Sequence, residues 1–82
     1  VSKGISYSGE GTVVKAEYKL VGKSGTVYYK GSYENTSSFT VSGTMKEATG
    51  SIVVTWTVQT GETDEAGNPA TVTLDPVTYS VP

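Results

Sequence analysis

Eighty-two residues with six Lys, eight acidic residues and a net charge of -2 make one domain, 1–82, with room for a single modest core. The absence of His, Cys and Arg removes the usual near-neutral proton shuttle, thiolate chemistry, disulfides and the donor sets of most zinc, copper and iron sites. Six Lys without a basic stripe also argue against phosphate-backbone binding, so nucleic acid is not an expected partner. With no His or Cys and no sign of a concave apolar site to activate a carboxylate pair, the chain is not read as an enzyme.

Thirteen Thr, twelve Val, ten Ser and six Tyr against two Leu is a strand-forming composition, because β-branched and aromatic side chains pack well on a pleated surface. No helix is expected. No apolar run approaches the roughly 20 residues a helical span requires, and Val1-Ser2-Lys3-Gly4 is not the apolar core of a signal peptide. Low charge with abundant Ser and Thr suits a secreted or cell-surface protein.

In chain order, Ile5 and Tyr7 begin a short strand and Ser8-Gly9-Glu10-Gly11 turns it. Thr12 to Glu34 then reads as a hairpin about a Gly22-Lys23-Ser24-Gly25 turn. Folding at the Lys23-Ser24 centre sets Leu20 opposite Val27, Tyr18 opposite Tyr29, Ala16 opposite Gly31 and Val14 opposite Tyr33, all on one face. Glu17 then faces Lys30 on the other. Asn35-Thr36-Ser37-Ser38 ends the hairpin and supplies a glycosylation sequon, relevant only to a eukaryotic secreted protein. A second hairpin is expected from the alternation of Phe39, Val41, Gly43 and Met45 with that of Ile52, Val54, Trp56 and Val58 across a Lys46–Gly50 turn. Gly61 to Pro69 is a polar acidic loop. Ala70, Val72 and Leu74 form a further strand and Val77, Tyr79 and Val81 a last one, with Pro76 marking a bend where the chain crosses to another sheet or becomes an edge. Six to seven short strands with turns between them predict an all-β fold, a small antiparallel β-sandwich or a small open barrel. Its core is expected from Val14, Tyr18, Leu20, Val27, Tyr29, Tyr33, Phe39, Val41, Val54, Trp56, Val58, Val72, Leu74 and Tyr79.

Three surface features are candidates for function. Tyr28 alternates away from Tyr29 and is expected to stand exposed beside Lys30 and Glu17, where an aromatic ring among hydrogen-bonding groups can stack on a sugar or anchor a protein. Glu62, Asp64, Glu65 and Asn68 gather oxygen ligands in one loop, which makes calcium the one conceivable cofactor; turn chemistry accounts for the same residues and is the favoured reading. Thr40, Ser42 and Thr44, expected opposite Thr55 and Thr57, form a hydroxyl array that an ordinary wet sheet face also explains. Gly22-Lys23-Ser24 does not make a phosphate loop, since position 17 is Glu and the segment joins two strands.

The Asp64-Glu65-Ala66-Gly67-Asn68 turn followed by Ala70-Thr71-Val72-Thr73-Leu74 resembles the last hairpin of bacterial immunoglobulin-like repeats in surface proteins and secreted enzymes. The resemblance covers about thirty residues around Thr55 to Leu74 and departs from those repeats in the Gly61-Glu62-Thr63 lead-in and the Pro76–Val81 segment. It implies an immunoglobulin-like sandwich. The function expected is a non-catalytic extracellular module acting as structural spacer, adhesion or assembly unit, meeting a protein or polysaccharide surface. A carbohydrate-binding module using Tyr28 is the alternative, and self-association through unpaired edges and outward Val13, Val53 and Tyr28 is a further expectation.

Overall fold

The computed structural model describes residues 1–81, which form seven strands and no helix: β1 (Ser2–Ser6), β2 (Thr12–Gly22), β3 (Val27–Glu34), β4 (Ser38–Ser42), β5 (Gly50–Thr63), β6 (Pro69–Thr73) and β7 (Val77–Val81). A five-stranded antiparallel sheet runs β3-β2-β5-β6 with β7 also on β5, and β1 and β4 form a separate two-stranded sheet. The small sheet lies over the inner face of the large one. Phe39 of β4 sets its ring 5.7 Å from both Trp56 of β5 and Tyr18 of β2. Ile5, Phe39 and Val41 join Val13, Ala16, Leu20, Ile52, Val54, Trp56, Val58 and Val81 in one buried cluster. The fold is therefore an open two-sheet β-sandwich.

The second hairpin expected from the sequence does not form. β5 instead pairs with β2 over ten positions, from Thr12 opposite Gln59 to Gly22 opposite Gly50, while β4 pairs with β1. Alternation alone fits either partner, but the five residues of β4 cannot match the ladder that eleven-residue β2 offers. The other edge of β5 is filled by β7 along Gly50 to Val54 and by β6 along Thr57 to Thr63. Thr40 and Ser42 consequently lie on the small sheet, not opposite Thr55 and Thr57.

The β2–β3 hairpin forms with its register moved by two. Leu20 faces Tyr29, Tyr18 faces Gly31, Ala16 faces Tyr33 and Lys15 faces Glu34. A two-residue turn at Lys23-Ser24 would require positive φ at both, which side chains resist. The chain instead closes a three-residue loop, with Gly22 N donating to Thr26 O at 2.8 Å, Gly25 N donating to Gly22 O at 2.9 Å and Gly25 at φ 94. A further one-residue irregularity falls between Leu20 and Val21, against Val27 to Tyr29, and makes Tyr28 the extra residue of a bulge. The two steps together preserve the parity of the strand, so the inward face survives while every partner changes. Glu17 now faces Ser32, and Lys30 faces Lys19.

A second bulge, between Val13 and Lys15, reverses the expected roles of Val13 and Val14: Val13 is in the core and Val14 only half-buried. Pro76 does not send the chain to another sheet. From Thr57 opposite Thr73 to Val54 opposite Val77, β6 and β7 contain one residue more than β5. Leu74 N still donates to Trp56 O at 2.9 Å across the gap, so Pro76 marks an interruption in one edge.

Two short strands cannot cover five. Tyr29, Tyr33, Val27, Val72 and Val77, on the outer strands of the large sheet, remain 37–48% exposed, although four of them were expected in the core. Fourteen residues at about 3.3 Å each give β5 a length near 46 Å, and the molecule measures 47 × 20 × 16 Å. Its radius of gyration is 14.4 Å, against about 12 Å for a compact domain of this size.

Candidate functional site

Inward apolar residues alternate with an outer face that carries the polar side chains of the large sheet. Glu17 and Lys19 on β2, Lys30 and Ser32 on β3, and Val53 and Thr55 on β5 line a wide, open depression of about 870 Å³, and Tyr28 borders it. The three residues singled out from the sequence as a ligand site, Tyr28, Lys30 and Glu17, thus lie around one depression. The bulge alters how Tyr28 takes part. Its ring is half-buried and packs against the core cluster, and its hydroxyl donates to Glu47 Oε2 at 2.8 Å.

Glu47 sits in the β4–β5 connection and ties it to the β2–β3 turn. Ser24 N donates to Glu47 Oε1 at 2.8 Å and Ser24 Oγ to Oε2 at 2.9 Å, while Ser24 Oγ and Thr26 Oγ1 are 3.0 Å apart. Gly22 makes the approach possible: a Cβ there would lie 1.8 Å from Glu47 Oε2 and 2.8 Å from the Tyr28 ring. The hydrogen bond from Tyr28, followed by those from Ser24 N and Ser24 Oγ, holds the Glu47 carboxyl below its ordinary 4.5. Donation to Glu47, then burial and the carboxylate's charge, raise the Tyr28 phenol above 10.0. Sequence reasoning placed Glu47 in a turn and gave it no partner. Its only local signal is Gly22, a small residue on the inward face of a long strand.

The depression itself is charged. Lys15 Nζ lies 3.7 Å from Glu17 Oε1, both side chains about half exposed, and such a surface pair contributes little to stability. Lys19 and Lys30 face each other across the ladder, with no carboxylate within ion-pair distance of either among the described residues. Val53 and the Thr55 hydroxyl complete a floor that mixes apolar and hydrogen-bonding surface.

The acidic loop lies well away on the β5–β6 hairpin. Asp64 Oδ1 accepts from Ala66 N at 3.0 Å and Asn68 N at 2.9 Å. Asp64 N donates to Asn68 O at 2.8 Å, and Gly67, at φ 84, donates to Asp64 O at 3.0 Å. This is a side-chain-capped turn. Glu62 N donates to the Thr60 hydroxyl at 3.4 Å, and among the described residues no three acidic side chains converge as a metal-binding group. Thr57 and Thr73 bring their hydroxyls to 3.3 Å across β5 and β6, a wet-face pair of the ordinary kind.

No protein-family model matches the chain, and no curated protein or solved structure is significantly similar to it.

Proposed function

We propose that this chain is a non-catalytic extracellular β-sandwich module, secreted or held at a cell surface, that works as an adhesion, assembly or spacing unit through the outer face of its large sheet. The observation that carries the reading is the separation of faces. Apolar bulk faces the small sheet, while Glu17, Lys19, Lys30, Ser32 and Thr55 surround an open depression on the other side. A shallow, charged, hydroxyl-rich surface suits an extended partner better than an enclosed small molecule. The likeness of the Thr55 to Leu74 segment to bacterial immunoglobulin-like repeats points the same way. Binding to a panel of immobilised surface proteins and polysaccharides tests it. A Lys19→Glu/Lys30→Glu pair is expected to abolish the binding seen and a Thr40→Lys change on the small sheet to leave it intact; the opposite pattern contradicts the proposal.

A carbohydrate ligand is favoured by one specific observation, that Tyr28, Lys30 and Glu17 border the same depression. On this reading Lys30→Ala and Glu17→Ala both lose retention on insoluble polysaccharide, whereas Tyr28→Phe, whose ring packs against the core cluster, keeps it. Equal retention of all four proteins removes the carbohydrate reading.

A further inference from the structure

We propose that the free edge of β3 pairs with β3 of a second copy, antiparallel and centred on Ser32, to join two five-stranded sheets into one. This deepens the assembly part of the function proposed above and rests on it. Adhesion through the outer face is read by a different assay and survives if self-pairing fails.

Among the free edges, β3 is the one suited to pairing. Its eight residues contain no proline, whereas the β6–β7 edge is broken at Leu74 to Pro76 and opened by Pro69, and β1 and β4 have five residues each. Asn35 N donates to Val14 O at 3.0 Å, which fixes the alternation of the ladder: Gly31, Tyr33 and Asn35 turn their backbone groups toward β2, and Lys30, Ser32 and Glu34 turn theirs outward. The Glu34 carbonyl also accepts the Thr36 hydroxyl at 3.2 Å, leaving its second lone pair free. An exposed row of this kind is a template for another strand.

Charge then selects the partner and the register. Hydrogen-bonded pairs must come from the outward set, and the two-fold axis can pass through one of them or through a non-hydrogen-bonded pair. Centring on Gly31 or Tyr33 sets Lys30 opposite Ser32 or Thr36 and makes no charge pair. Centring on Lys30 brings lysine against lysine, and centring on Glu34 brings glutamate against glutamate. Centring on Ser32 sets Lys30 beside the second copy's Glu34, twice by symmetry, and gives Lys30 the opposite charge it lacks beside Lys19. The same register sets Tyr33 beside the second copy's Gly31, over which that copy's Tyr18 ring lies. Three of the six exposed large apolar residues, Val27, Tyr29 and Tyr33, lie on this strand. Such a contact is isologous and closes as a dimer. It covers less than the roughly 800 Å² per partner of a standard interface, so the dimer is expected to be reversible.

Sedimentation velocity on the chain from about 10 µM to about 1 mM reads the result. The mass is expected to rise from 8.6 kDa toward twice that value. Lys30→Glu and Glu34→Lys, both at exposed positions, should each weaken self-association about tenfold or more by placing like charges opposite each other. An equimolar mixture of the two variants again opposes unlike charges at both positions and should recover dimer, an outcome that misfolding of either cannot produce. In the cysteine-free chain, Ser32→Cys should oxidise to a covalent dimer while Thr40→Cys, on the small sheet, stays monomeric. A constant 8.6 kDa mass, variants that associate like the parent, or a mixture that fails to recover would each overturn the proposal.

Discussion

Trp56 holds the two sheets together, and its removal gives the sharpest energetic prediction. Trp56 is 2% exposed, and its ring lies 5.4 Å from that of Tyr7 and 5.7 Å from that of Phe39, so it touches the segment after β1 as well as β4. A buried Trp removes about 150–250 Å² from water, or roughly 4–6 kcal/mol at 25 cal/mol per Å², an upper bound because the unfolded chain is itself partly collapsed. Trp56→Ala is therefore expected to cost about 3–5 kcal/mol. A domain of 82 residues has a total stability of about 4–12 kcal/mol. At about 2.1 cal/mol/K per residue it unfolds with about 170 cal/mol/K, so each kcal/mol moves the midpoint by about 6 °C. Thermal unfolding followed by far-UV circular dichroism should show a fall of roughly 18–30 °C. Val53→Ala, one strand position class away on the outer face, should fall by less than about 6 °C. A Trp56→Ala protein melting within 5 °C of the parent, or a Val53→Ala protein equally damaged, would refute the assignment of faces.

Three further predictions concern the loops and the Tyr28–Glu47 contact that ties one of them down. Because the folded state holds the Glu47 carboxyl below its ordinary 4.5, its contribution is full above that value and is lost as pH falls through the lowered one; Glu47→Gln should therefore lose less stability than the parent between about pH 5 and pH 3. The raised Tyr28 phenol acts at the other limit, contributing below pH 10.0 and less above it, so Tyr28→Phe should flatten the alkaline limb of the parent's stability profile. Asp64→Ala removes the acceptor of two backbone amides and should cost about 1 kcal/mol, measured as the same fall in midpoint with calcium and with chelator; a fall confined to calcium-containing buffer would contradict the turn reading.

The inward face of each long strand was legible because its period needs no partner: Leu20, Val54, Trp56 and Val58 are buried where alternation puts them. Partner choice was not legible. Phe39 to Met45 and Ile52 to Val58 alternate equally well, and nothing local records that β5 is long enough to prefer β2. Bulges defeat alternation for a different reason, since one extra residue in β2 exchanges the faces of Val13 and Val14 and another in β3 turns Tyr28 toward Glu47. Gly25 was the available clue to the hairpin register, as a left-handed glycine at that point favours a three-residue loop over the two-residue one. The edge residues Tyr29, Tyr33 and Val72 read as core because alternation reports which way a side chain points and not whether anything covers it.

The register of β3 in the large sheet, which sets Lys30 and Ser32 on the outer face and leaves the edge free for self-pairing, is tested most directly by amide hydrogen exchange in dilute solution. Gly31, Tyr33 and Asn35 should be protected while Lys30, Ser32 and Glu34 exchange freely, and the second set should gain protection as concentration rises. Uniform protection of all six amides at the lowest concentration, or rapid exchange at Gly31 and Tyr33, would contradict the edge and its register.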